Sequence, residues 1–130
     1  KKILLIPFLF CVIITNAQLL TWSPDFIKEA STPVTITTDA TFGNKGLLNY
    51  TPTTDVYVHI GLITNKSTSS SDWKHVKFAN FNLPDPSVQA VYLGNNKWKF
   101  TINGGLRTFF NVTDGSETIK KIATVNGNKL

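Results

Sequence analysis

The sequence predicts an all-β domain built as a sandwich of two sheets, and three observations carry that prediction. Beyond Gln18, turn-forming Gly, Pro, Asn, Asp and Ser recur about every 8 to 12 residues. The runs between them alternate apolar and polar residues with the period of two that a half-buried strand requires. No amphipathic run is long enough for a substantial helix. Six or seven such runs in roughly 100 residues form the pattern of an immunoglobulin-like β-sandwich, with an irregular barrel as its main competitor.

The first residues read as an export signal. Lys1 and Lys2 give a basic start, Ile3 to Ile14 is almost wholly apolar, and Thr15 and Ala17 stand where a signal peptidase cuts. The apolar run falls short of the about 20 residues that cross a bilayer. Residues 1–17 are therefore expected to be a signal peptide and residues 18–130 the module, secreted to the periplasm or the extracellular space and free of the membrane after processing. Cys11 follows bulky Phe10, where lipoprotein processing needs a small residue, so the single cysteine leaves with the signal. A module without disulfides must hold by its core alone, which favours a bacterial exporter. Three sequons, beginning at Asn49, Asn65 and Asn111, carry little weight in a chain so rich in Asn and Thr.

The elements follow in order. Leu20 and Trp22 belong to a first strand, Trp22 packing in the core or plugging one end of the sandwich. "PVTITTDAT" alternates Val34, Ile36 and Thr38 against Thr35, Thr37 and Asp39, with Pro33 at its start. "GNKGLLNYTPTT" is a loop. "DVYVHIGLI" reads as one strand, with Val56, Val58 and Ile60 on one face and Tyr57 and His59 on the other. "STSSSD" is a polar loop, after which "WKHVKF" sets Val76 and Phe78 opposite Trp73 and His75. "QAVYLGNNKWKFTI" is a hairpin in which "GNN" supplies positive φ angles and Trp98, Phe100 and Ile102 point into the core. "LRTFFNV" is one helical turn at most, and "ETIKKIATV" is a last strand.

Catalytic machinery is missing from this list. There are two histidines, no G-x-S-x-G elbow, no H-E-x-x-H and no phosphate-binding glycine loop. The carboxylate pairs Asp25/Glu29 and Asp114/Glu117 lie in polar turns where capping explains them. Asp39, Asp55, Asp72 and Asp114 are scattered without D-x-D-x-D spacing, and two histidines do not make a zinc site. The chain is thus expected to be no enzyme and to carry no cofactor. The net charge of +5 falls to +3 without Lys1 and Lys2, and no basic run interleaves with aromatics, which argues against nucleic acid.

The aromatics are the richer signal. Trp73 follows the serine tract, sits between Asp72 and Lys74, and alternates out of phase with Val76 and Phe78, so it is either exposed or one more core ring. Tyr57 and His59 either cover a second layer or wait for a ligand. Sugar recognition needs an aromatic plane beside hydrogen-bonding side chains, because a pyranose stacks its CH face and pins its hydroxyls.

"DVYVHIGLITNKSTSSSDWKHV", "YLGNNKWKFTI" and "LRTFFNVTDGSETIKKIA" resemble the immunoglobulin-like modules attached to secreted bacterial amylases and related starch-handling proteins. The resemblance spans Trp22 to Ala123, and its most specific part is the H-I-G…D-W-K segment. It is similar, more distantly, to starch-binding modules in which a His and a loop Trp line the glucan site. It implies a carbohydrate-binding module for an α-glucan, with His59 and Trp73 as ligand contacts and Tyr57 and Lys74 as weaker neighbours. It also implies a catalytic domain in a longer precursor, and last strands that "TVNGNKL" does not supply. The alternative is a structural spacer or interaction module of an extracellular enzyme.

Overall fold

The computed structural model describes residues 18–124, so the expected signal peptide and the "VNGNKL" end lie outside the described residues. The expected all-β sandwich is what the chain forms. Seven strands pair antiparallel in two sheets among the described residues. The larger sheet holds β1 (Leu20–Ser23), β2 (Val34–Asp39), β6 (Lys97–Ile102) and β5 (Val91–Gly94) in the order β1-β2-β6-β5. The smaller holds β4 (Lys74–Lys77), β3 (Ile60–Thr64) and β7 (Ile119–Thr124) in the order β4-β3-β7. With β4 lettered C′, these orders match A-B-E-D and C′-C-F of an immunoglobulin-like sandwich, with no strand G among the described residues. A short 3-10 turn, Pro86–Val88, leads into β5, and one α-helical turn, α1 (Leu106–Phe109), precedes β7. No helix among the described residues is long and apolar enough to cross a membrane.

Period-two patterning sets the core. Val34 and Ile36 of β2 and Phe100 and Ile102 of β6 face Ile60 and Leu62 of β3, all at most 4% exposed. Each such side chain contributes about 1.5–3 kcal/mol by leaving water. Leu106, Phe110 and Val112 join the same cluster. Trp22 is half-buried against it, and Trp98 is buried at 2% exposure in a second cluster with Ala40, Val56 and Ala90. The hairpin turns on Asn95 and Asn96, whose φ of 51° and 60° are the positive pair that a two-residue type I′ turn demands.

Two segments depart from the expected pattern. "DVYVHIGLI" is not one strand. Val58 N donates to Val88 O and Ala90 N to Val56 O, and Tyr57 bridges Gln89, so residues 56–58 pair beside the entry to β5. Only from Ile60 does the chain join the smaller sheet, and His59 lies where it crosses over. The alternation around β4 also breaks. Ile60 pairs with Lys77 and Leu62 with Lys74, so β4 carries an extra residue opposite Gly61. This bulge, with φ of 51° at His75 and 55° at Phe78, shifts the phase that the sequence implies.

Candidate functional site

The polar loop that separates His59 from Trp73 is a self-bonded turn. Asp72 Oδ2 accepts from Thr68 N and Thr68 Oγ1, and Asp72 Oδ1 accepts from Lys74 Nζ at 2.8 Å. The Lys74 ammonium and Thr68 hold the Asp72 carboxyl down at about 2. Trp73 N donates to Ser71 O, and the indole is delivered to His59. The two rings stack with centroids 5.4 Å apart and planes at 26°. Gly61 makes room for this approach, since a Cβ there would lie 3.4 Å from Trp73 Cβ and 3.2 Å from Lys74 O.

His59 is fixed from behind. Its Nδ1 donates to Phe78 O at 2.9 Å, which in the neutral ring leaves Nε2 as an acceptor. Phe78 offers that carbonyl from a left-handed backbone, a conformation costing a bulky residue about 1–3 kcal/mol. Phe81, 44% exposed, packs on His59 at 5.0 Å and on Phe78 at 5.3 Å, and Phe78 meets Tyr57 at 5.3 Å. Trp73, His59, Phe81, Phe78 and Tyr57 thus form one continuous chain of rings. The structure brings His59 and Trp73 into contact and joins Tyr57 to them through Phe78 and Phe81. Lys74 is instead held by Asp72, its Nζ donating to Oδ1 at 2.8 Å.

Phe81 is the member that sequence reasoning misses. It lies in "FANFNLPDP", a loop without period, and its only signal is the aromatic at a position flanked by turn residues. Phe78, expected on the face opposite Trp73, lies half-buried just past the β4 bulge, packed both against the main core and within the ring chain.

The remaining polar cluster has a structural arrangement. Glu117, 4% exposed, accepts from His75 Nε2 at 3.2 Å and lies 3.5 Å from Lys66 Nζ. The Thr64 hydroxyl, first among these contacts, lowers its pKa. Hydroxyl and imidazole both point to the carboxylate, so the imidazole is not placed to draw a proton from the hydroxyl. Lys66 also pairs with Asp114, and this bond holds the Asp114 carboxyl far below its ordinary value. Arg107 donates to Glu117 O, Val112 O and Asp114 O and pairs with Glu29, clamping the loop before β7. Among the described residues no three His, Cys, Asp or Glu side chains converge on a metal position.

No protein-family model matches the chain, and no curated protein matches it either.

Proposed function

We propose that the domain is a non-catalytic carbohydrate-binding module of a secreted bacterial glycan-degrading protein, taking an α-glucan at the Trp73–His59 edge. The observation that supports this reading is the stacked pair itself: two residues separated by a polar loop meet outside the core, beside partly exposed Phe81. Trp73 supplies a plane for a pyranose, and His59 Nε2 accepts from a hydroxyl. The catalytic domain it serves belongs to a longer precursor. Affinity is modest, because a shallow aromatic edge buries little ligand and must displace water from each hydroxyl.

One feature favours a second reading. His59 already covers one face of the half-buried indole, as it would in a spacer whose rings only close the outer surface of a small sheet. Co-sedimentation with starch granules and titration with a soluble maltooligosaccharide separate the two, with a β-linked glucan as the control. A binder pellets with the granules, and Trp73→Ala weakens its affinity at least about tenfold, or about 1.4 kcal/mol. A domain that stays in the supernatant and gives no saturable signal is a spacer.

A further inference from the structure

Behind the ring chain lies a cavity of about 460 Å³, bounded by the inner face of the larger sheet and by the segment that crosses between sheets. Its volume is within the roughly 300–1,000 Å³ of small-molecule sites. Six aromatic side chains line it: Tyr50, Tyr57, Phe78, Phe81, Trp98 and Phe100. Trp73 is not part of the lining, while His59 stands between the cavity and the proposed glucan edge and borders both.

The charge of the cavity runs against that of the chain. The chain as a whole carries +5, yet the lining contains no Lys or Arg and one acidic residue, Asp55. Of the eight acidic residues, Glu29, Asp39, Asp72, Asp85, Asp114 and Glu117 are all engaged by hydrogen bonds or ion pairs. Asp55 is exposed at the cavity, and among the described residues its carboxylate accepts no hydrogen bond and forms no ion pair.

That combination selects a ligand class. Aromatic faces attract cations, and the attraction grows as water is excluded. A neutral glycan offers no charge for the ring faces or the Asp55 carboxylate to attract. A metal ion needs several oxygen ligands, and this wall provides a single carboxylate. We propose that the cavity binds an organic cation, with an ammonium group near Asp55 and an aromatic or alkyl body among the rings.

The full chain, titrated with three aryl probes of different charge and followed by amide chemical shifts, tests this. Benzyltrimethylammonium should saturate shifts along Asp55 to Val58 and Trp98 to Phe100, with benzyl alcohol at least about fivefold weaker and benzoate weaker still. Asp55→Asn should bring the cation down to the affinity of the alcohol, while Asp25→Asn, at an acid outside the cavity, should retain the parent's affinity. Equal binding of the three probes, preference for benzoate, no saturable shift, or an Asp55→Asn variant with the parent's affinity would each overturn the assignment. The glucan reading fails or stands on a separate measurement, starch co-sedimentation and its loss in Trp73→Ala, a residue outside the lining.

Discussion

Gly61 shows how one missing side chain positions a site. It is buried on β3 opposite the β4 bulge, and an added Cβ would stand 3.1 Å from Val76 Cγ2 and 3.2 Å from Lys74 O. The backbone oxygen cannot turn aside, so β4 must move away and take Trp73 with it. Gly61→Ala is expected to cost about 1–3 kcal/mol, as overpacked cores do, and to loosen the Trp73–His59 stack. Thermal unfolding and the near-ultraviolet circular dichroism of the indole check both, and an unchanged melting point would mean that β4 yields freely. Trp73→Ala should be milder, about 1–2 kcal/mol, because the ring is half-buried and not enclosed. At this scale the sequence was informative for some positions and silent for others. Strand parity separates His59 from the core residues, and the serine tract marks a return that brings Trp73 back near it. Phe81 was not legible, because a loop residue has no period from which its direction can be derived.

At the scale of elements, the β5–β6 hairpin is where local signals agree. Two positive-φ asparagines make the turn, and Trp98, Phe100 and Ile102 alternate inward behind it. Trp98→Ala should cost about 3–5 kcal/mol. Trp98→Phe should cost markedly less, because the Trp98 Nε1 is buried without a partner and its removal sacrifices no hydrogen bond. Denaturant unfolding of both variants measures the difference, and equal losses would show that the indole nitrogen has a partner after all. The same alternation is ambiguous in residues 55–63. A period of two announces an extended chain but does not say which neighbour it pairs with, so the crossing at His59 between Val56–Val58 and β3 leaves no trace in the pattern. The β4 bulge is equally hidden, since His75 and Phe78 are not residues that favour a positive φ.

For the whole molecule, carboxylates fasten segments that are distant in sequence, and this sets its response to acid. Glu29 accepts from Ile119 N across 90 positions and pairs with Arg107, while Lys66 joins the β3 end to Asp114. The backbone bond from Ile119, above all, lowers the Glu29 pKa, and Thr41 does the same for Asp39. Asp72 falls from 3.8 to about 2, and Asp114 lower still. A lowered carboxylate holds fewer protons in the folded state than in the unfolded chain over the interval between its two pKa values. Stability from these groups is therefore fully present above the ordinary carboxylate range, about pH 5, and is lost as the pH falls through each folded value, about 2 for Asp72. The melting temperature should drop steadily across that window. Added salt should change it little where hydrogen bonds dominate, as in Glu29, and more where the contact is an exposed ion pair such as Lys66–Asp114. Asp114→Asn should start lower at neutral pH and lose less on acidification, because its share of the proton uptake is gone. A parent and variant whose melting temperatures run parallel from neutral pH to about pH 2 would show that Asp114 titrates alike in both states, and that its bond to Lys66 does not hold the loop before β7.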